Sequence, residues 1–175
     1  MTVIETDRLR LRPLRESDLD AYAAMLGDPE IMRYLGDGRT LDREDAWRHL
    51  AMLLGHWTLR GFGTWALEER GTGAFVGRAG LHYPAGWPDR EVGWALRREH
   101  WGKGYATEAA RASLDHAFDT LGWERAISLI HPGNLRSIRV AERLGERYEG
   151  EATVRGKLAG VYVVSRAAWK ARAAG

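Results

Sequence analysis

Two glycines separated by one residue, Gly102 and Gly104, lie between a predicted strand and a predicted helix. The strand is expected over residues 91–98 and the helix over residues 106–121. Glycine lets backbone N–H groups approach a ligand closely, and the partial positive charge at a helix N-terminus favours an anion. This spacing therefore predicts a cradle for a phosphate group, and Lys103 adds a positive charge to it.

Two other phosphate-binding motifs do not fit this loop. A dinucleotide fingerprint needs a third glycine at a fixed place, where this chain has Ala106 and Thr107. A P-loop needs Gly-Lys followed by Ser or Thr, and the sequence lacks that combination. The loop alone does not identify the phosphate compound, because many short glycine turns are purely structural.

A second polar group follows the strand predicted over residues 125–130. Asn134 is a good N-cap for a helix predicted over residues 135–144, which Gly145 ends. Ser137 lies in the first turn of the same helix. The amide and the hydroxyl are therefore expected close together at one helix N-terminus.

The other predicted elements must position these residues. Their order, β-αα-βββ-α-β-α-ββ, favours a mixed-sheet α/β (α+β) domain over a regular βαβ repeat. No linker or repeat interrupts the pattern, so residues 1–175 are expected to form a single domain, with a short disordered tail after Trp169. The strands are predicted at 9–14, 61–68, 75–83, 91–98, 125–130, 148–155 and 158–164, and the helices at 17–26, 40–60, 106–121 and 135–144.

Composition excludes several classes of protein. Hydrophobic residues make up 45% and charged residues 29%, an ordinary globular balance, and no apolar run approaches the length of a membrane span. The N-terminus lacks the apolar region of a signal peptide, and the absence of cysteine excludes disulfides and thiolate metal sites. A cytoplasmic protein without a bound metal is expected. The formal net charge of +2 is too small to indicate nucleic-acid binding.

Four segments together resemble the GNAT acetyltransferase superfamily. Residues 101–109 (WGKGYATEA) are similar to its acetyl-CoA pyrophosphate loop. Residues 134–145 resemble the second signature of its ribosomal-protein N-acetyltransferase-like branch, and residues 5–12 and 161–169 also match that branch. Glu146 stands where an aromatic residue is usual. The resemblance spans nearly the whole chain and implies the GNAT fold, with a mixed central sheet of about seven strands splayed at strands 4 and 5 and flanked by helices.

The resemblance also implies acetyl-CoA as the cosubstrate and suggests where it binds. Its pantetheine arm would lie between the two splayed strands and hydrogen-bond to their unpaired backbone groups, and its pyrophosphate would contact the glycine loop. The residues assigned to acetyl-CoA on this basis are Trp94, Ala95, Leu96, Trp101, Gly102, Lys103, Gly104, Tyr105, Ala106, Thr107, Asn134 and Ser137.

Acetyl transfer to an amine needs a neutral amine, a stabilised oxyanion and a proton for the leaving thiolate. Glu91, at the start of the central strand, is the predicted base, acting through water. His82 is a second candidate because histidine ordinarily titrates near neutrality. Each residue also has a structural alternative: Glu91 as a solvent-exposed strand end, and His82 as a hydrogen-bonded structural residue. Many relatives carry a tyrosine acid where this chain has Ala141, so Ser137, one turn earlier on the same helix face, is the predicted acid.

The acceptor is expected to be a primary amine, either a protein N-terminal α-amine or a small-molecule amine. Tyr34, His82 and Trp87 are predicted to bind it, because the two early helices and the loop after residue 83 should build its pocket. The sequence leaves monomer and homodimer open. The missing tyrosine also leaves open a second reading, a catalytically silent acyl-CoA-binding module.

Overall fold

A single mixed sheet of eight strands forms the centre of the molecule. A computed structural model describes residues 1–173. The strands are β1 (Ile4–Glu5), β2 (Leu9–Arg12), β3 (Thr64–Glu69), β4 (Phe75–His82), β5 (Glu91–Leu96), β6 (Arg125–Ile130), β7 (Arg147–Val154) and β8 (Lys157–Ser165). The helices are α1 (Leu19–Leu26), α2 (Pro29–Met32), α3 (Arg43–Arg60), α4 (Tyr105–Asp115), α5 (Leu135–Leu144) and α6 (Arg166–Ala173).

The sheet is divided by its only parallel pair among the described strands. Its strand order is β1-β2-β3-β4-β5-β6-β8-β7, and β5 runs parallel to β6. A single residue pair, Glu91 with Ile127, joins these two strands, whereas β5 pairs with β4 along the whole length of β5. The halves of the sheet therefore meet at the start of β5 and separate toward its end, which confirms the splay that the resemblance implied.

Helices cover both faces of the sheet and create two apolar clusters. Val92 and Leu96 of β5 pack into the cluster that contains α4, while Ala95 packs into the cluster formed with α1 and α3. Successive residues of a strand face opposite sides of a sheet. Glu91 therefore shares the face of Ala95, beneath α1 and α3.

A buried ion network fixes the end of β2 against the first helical segment. The Arg12 guanidinium contacts Asp18 at 2.7 Å and Glu68 at 2.6 Å. The Asp18 carboxylate also accepts the Arg15 backbone N–H at 2.8 Å, and a 3-10 turn, Glu16–Asp18, precedes α1.

Most predicted elements are present within a few residues of their expected bounds. The strand at 125–130 and the helix at 135–144 match, whereas the helix predicted to reach residue 121 changes to a π-helical turn, His116–Thr120. Three elements were not predicted. They are β1, which makes the sheet eight-stranded, the short helix α2, and α6, which includes residues 170–173 of the tail expected to be disordered. Residues 174 and 175 of that tail lie outside the described residues.

Within residues 1–173, no helix combines the length and apolar character needed to cross a membrane. The same residues contain no group of three or more His, Asp or Glu side chains arranged to hold a metal ion.

Candidate active site

The glycine turn leads directly into the N-terminus of α4. Gly102 and Gly104 have φ angles of 77° and 83°, in the left-handed region that favours glycine. Gly104 is the N-cap of α4 and no side chain caps this helix end. The N–H groups of Tyr105, Ala106 and Thr107 therefore have no partner within the helix. Together with the helix dipole, they form a site for an anion.

Residues 6–8 of the N-terminal segment contact this loop and the first turn of α4, and these contacts are called the brace. Arg8 donates from Nη1 to the Lys103 carbonyl at 2.8 Å and from Nε to Glu108 Oε2 at 2.7 Å. Thr6 donates to the other Glu108 oxygen at 2.6 Å, and the Arg8 guanidinium lies 4.7 Å from the Tyr105 ring centroid. Sequence reasoning matched this segment to a family pattern without giving it a role, because the contacts join residues a hundred positions apart.

A cavity of about 640 Å³ joins the loop to the gap between β5 and β6. Arg33, Arg136, Arg139 and Arg143 also line it, so the cavity carries positive charge suited to a polyphosphate. Lys103 is exposed and is not among the lining residues. The residues assigned to acetyl-CoA from sequence that do line the cavity are Trp94, Ala95, Leu96, Trp101, Gly102, Gly104, Tyr105, Ala106, Thr107, Asn134 and Ser137.

The gap leaves backbone groups of β5 without a neighbouring strand. The Val92 carbonyl accepts from Ser128 Oγ at 2.9 Å, and the Leu96 carbonyl accepts from the Trp101 indole at 2.9 Å. Alternate residues of a strand direct their backbone groups toward the same neighbour. The N–H and C=O of Trp94 therefore also face the gap, beyond the end of the pairing with β6. An extended ligand that carries amide groups fits there.

Asn134 and Ser137 meet at the start of α5, as the sequence predicts. The Asn134 side-chain oxygen accepts the Ser137 backbone N–H at 3.3 Å, so Asn134 is the N-cap of this helix. Both residues line the cavity. Ala141, the position at which the resemblance leads one to expect a tyrosine, is completely buried one turn further along α5.

Tyr34 lies with the residues assigned to acetyl-CoA and apart from the other two predicted acceptor residues. Its ring centroid is 5.0 Å from that of His131, and a Cβ added to Gly133 would meet the Tyr34 ring at 3.2 Å. Tyr34 lines the cavity, whereas His82 and Trp87 do not. The segment after α2 packs on the loop that precedes α5, and this packing carries Tyr34 to the cavity.

The Glu91 carboxyl lies at the point where the two strands separate. Its Oε2 accepts from the Trp87 indole at 2.7 Å, and its Oε1 would be 3.6 Å from a Cβ added to Gly93. Burial raises the pKa of Glu91 to about 7, and hydrogen bonds from Trp87 and the Leu129 backbone oppose that shift. A carboxyl with this pKa is suited to act as a general base near neutrality.

His82 is less suited to that task. It pairs with Glu91 across β4 and β5, and its ring centroid is 5.2 Å from that of His56 and 4.9 Å from that of Trp87. Burial, followed by the charges of His56, Arg78 and Arg155, lowers the pKa of His82 to about 3. The neutral imidazole is then a weak base, so the geometry favours Glu91.

Comparison with known proteins agrees with this architecture. Residues 8–147 match the acetyltransferase (GNAT) domain. The chain belongs to the GNAT family. It is 35% identical over 156 residues to the uncharacterized protein YkkB of Bacillus subtilis (strain 168), covering 84% of this chain and 86% of that protein. The crystal structure of an acetyltransferase from Agrobacterium tumefaciens str. C58 superposes with a TM-score of 0.84 at 33% identity, covering 94% of each chain.

A more distant structure shares the fold alone. The ribosomal L7/L12 α-N-protein acetyltransferase RimL, solved in complex with coenzyme A, has a TM-score of 0.78 at 18% identity, covering 95% of this chain and 99% of that one. Membership of the GNAT family identifies the chain as an acetyl-transferring enzyme, and GNAT acetyltransferases use acetyl-CoA.

Two charged residues near the acetyltransferase site were not selected from the sequence. Arg78 of β4 is opposite Ala95, and strand alternation from His82 would have identified it as facing the same side. Glu146, which was noted only as a departure from the family pattern, is 4% exposed and lies 3.1 Å from Ser128 Oγ. Burial raises the pKa of Glu146 to about 8, so at neutral pH its carboxyl is largely protonated.

Proposed function

We propose that this enzyme transfers the acetyl group of acetyl-CoA to a primary amine by direct attack in a ternary complex. One observation carries the proposal: a single cavity connects an uncapped helix N-terminus with the gap between two splayed strands. The first feature suits a pyrophosphate and the second an amide-bearing chain. Acetyl-CoA contains both groups.

In this proposal different residues bind different parts of acetyl-CoA. The N–H groups at the start of α4 and the two glycines hold the pyrophosphate, with positive charge from the arginines that line the cavity. Trp94 offers its backbone N–H and C=O to the pantetheine amides. Asn134 keeps its oxygen in the α5 cap and has its amide N–H₂ to offer to the ligand.

Glu91 and Ser137 are the proposed proton-handling groups. The carboxylate of Glu91, through a water molecule, takes a proton from the amine, whose nitrogen attacks the thioester carbonyl. The new C–N bond forms and the C–S bond breaks. The Ser137 hydroxyl donates its proton to the departing thiolate and regains one from water, and Glu91 releases the amine's proton to solvent. The thioester is already activated, so holding the two substrates together supplies much of the rate.

The acceptor is proposed to approach the Glu91 side of the gap, where His82 and Trp87 lie. Either a small-molecule amine or a protein N-terminal α-amine fits the chemistry. The signature at residues 134–145 favours the ribosomal-protein branch, and RimL, which shares the fold, is named for acting on a protein α-amine. We further propose that residues 1–175 form a single domain and that the protein is cytoplasmic. It is proposed to be either monomeric or homodimeric.

Calorimetric titration with acetyl-CoA, followed by a thiol-release assay with a panel of amines and N-terminal peptides, tests this function. We expect saturable binding below about 1 mM and acetyl-CoA consumption that depends on an amine. Absence of binding at that concentration would contradict the cosubstrate assignment. Tight binding without turnover of any amine would favour the catalytically silent acyl-CoA-binding module. That alternative is considered because Ala141 stands where the resemblance leads one to expect a tyrosine acid.

A further inference from the structure

A second polar cluster lies on the sheet face beneath α1 and α3. Arg78 and His82 of β4 share this face with Glu91 of β5, because their partners in the register are Ala95 and Glu91. Ala95 also lines the large cavity. Arg78 is therefore on the same face of the sheet as Ala95 and Glu91, although neither Arg78 nor Glu91 is among the residues that line the cavity.

A second arginine reaches the same region from the end of the β7–β8 hairpin. Arg155 has a φ of 48° in that turn, and its guanidinium lies 5.4 Å from the ring centroid of Trp87. Trp87 in turn donates to the Glu91 carboxylate. Arg78 of β4 thus lies near enough to the predicted base to oppose the rise in its pKa, and Arg155 contacts the tryptophan that binds that base.

The neighbouring histidines add no charge to this cluster. Burial, followed by the positive charges of Arg78 and Arg155, lowers the pKa of His49 to about 3, and the pKa of His82 is lowered likewise. His56 Nε2 accepts the Tyr83 N–H and its Nδ1 lies 2.9 Å from the Phe62 carbonyl, an arrangement that fits the neutral ring. The two arginines therefore make the acceptor side electropositive.

The Arg78 side chain is not fully satisfied within the protein. Its Nε is buried without a hydrogen-bond partner among residues 1–173. The guanidinium lies beside the Tyr22 phenol, where it opposes the rise to about 12 that burial causes in the Tyr22 pKa. A buried donor without a partner is costly, and a ligand that accepts a hydrogen bond removes the cost.

We propose that the acceptor is an amino acid or similar amine that carries a carboxylate, which Arg78 binds with support from Arg155 while the amine faces Glu91. This inference rests on the proposed acetyl transfer and narrows its acceptor. Arginine presents a planar fork of donors that matches a carboxylate. A polycationic amine would meet like charges, and the N-terminus of a longer peptide lacks the carboxylate next to its amine.

Matched acceptor pairs test the inference. The thiol-release assay is run with the standard L-amino acids and with their carboxamides, which keep the amine and side chain but lose the negative charge. At least one acid should have a kcat/KM about tenfold or more above that of its amide. The amine of the amide is the more easily deprotonated, so chemistry alone favours the amide. Acids that react no better than their amides would overturn the inference and leave acetyl transfer intact.

Variants at Arg78 assign the preference to this side chain. Arg78→Met should lower the ratio of kcat/KM for the acid to kcat/KM for its amide to about one or less, and Arg78→Lys should retain part of the preference for the acid. Both variants should still bind acetyl-CoA in the calorimeter. Arg10→Met, at an exposed arginine of β2, is the matched control and should keep the wild-type ratio. A general loss of structure lowers both rates and leaves their ratio unchanged. An unchanged ratio in Arg78→Met would contradict the assignment.

Direct binding separates the two proposals if no amine turns over. Acids and amides are titrated into the enzyme saturated with CoA. Tighter binding of an acid, lost in Arg78→Met, would support the carboxylate site although acetyl transfer had failed. Equal binding of acids and amides, or no binding of any acid, would overturn it.

Discussion

At the scale of single residues, the proposed base is a carboxyl whose surroundings suit that task. Glu91 accepts a hydrogen bond from Trp87 while burial raises its pKa to about 7. The sequence predicted Glu91 as the base only from its position at a strand start. The desolvation that makes the carboxyl basic comes from elements distant in the chain and is visible only in the folded protein.

The rate of acetyl transfer should follow the ionisation of Glu91. A base works when it is deprotonated, so kcat/KM should rise with pH through an apparent pKa near 7. Glu91→Gln should lower kcat by about 10²- to 10⁴-fold and remove that limb of the pH profile. Glu124→Gln, at an exposed carboxylate, should behave as the wild type. An unchanged profile in Glu91→Gln would exclude this residue as the base.

Ser137 permits an unusually clean test of the proposed acid. The α5 cap uses the backbone N–H of Ser137, so Ser137→Ala removes the hydroxyl and leaves the capping bond with Asn134 intact. We expect kcat to fall by about 10²-fold while the dissociation constant for acetyl-CoA changes little. Thr58→Ala, at an exposed hydroxyl of α3, serves as control. Equal kcat values for Ser137→Ala and the wild type would mean that another group protonates the thiolate.

At the scale of elements, the anion site depends on the backbone of one turn. Gly104→Ala should weaken acetyl-CoA binding because its φ is left-handed and the new Cβ would lie 3.3 Å from Arg8 Nη2, disturbing the brace behind the loop. The strain alone costs roughly 1–2 kcal/mol. Gly122→Ala is a matched control, with a φ of 67° and open space around its Cβ. Both variants should lose similar stability in urea unfolding.

Only the variant in the turn should lose affinity. Calorimetry should give a larger dissociation constant for acetyl-CoA in Gly104→Ala and an unchanged one in Gly122→Ala. If both variants lost affinity equally, general destabilisation would explain the effect and the turn would have no special role.

The elements differ in how far the sequence predicts them. The strand at 125–130 and the helix at 135–144 were predicted with their bounds, because hydrophobic spacing and the residues Asn134 and Gly145 define them locally. The ion network of Arg12 and the brace by Arg8 were not, because both join residues far apart in the chain. Arg78 was missed because its role depends on α1 and α3 covering one face of β4.

At the scale of the whole molecule, the two halves of the sheet depend on each other through a narrow junction. Beyond the pair of Glu91 with Ile127, side chains replace strand pairing. Ser128 Oγ lies 2.9 Å from the Val92 carbonyl and 3.1 Å from Glu146 Oε1. A hydroxyl has one proton to donate, so a protonated Glu146 can donate to Ser128 while Ser128 donates to Val92. The raised pKa of Glu146 agrees with this chain of bonds.

Folding stability should therefore decrease as the pH rises from about 4.5 to about 8. Burial raises the folded-state pKa of Glu91 to about 7 and of Glu146 to about 8, whereas both titrate near 4.5 when unfolded. Between these values the folded state holds more protons, so stability is full below about pH 4.5 and is lost as the pH rises through 7 and 8. Because each pKa unit corresponds to about 1.4 kcal/mol, the two shifts together set an upper bound of about 8 kcal/mol on this loss.

Glu146→Gln isolates the contribution of the junction. The amide of glutamine can donate to Ser128 as the protonated carboxyl does, but it does not titrate. In urea unfolding at pH 5, 7 and 9, the variant should match the wild type at pH 5 and be the more stable of the two at pH 9. The dependence that remains between about pH 4.5 and pH 7 comes from Glu91. Glu124→Gln should keep the wild-type dependence because that carboxylate is exposed. If the stability of Glu146→Gln instead changed with pH as the wild type's does, Glu146 would not hold a buried proton. Ser128 would then donate its hydrogen bond to a Glu146 carboxylate.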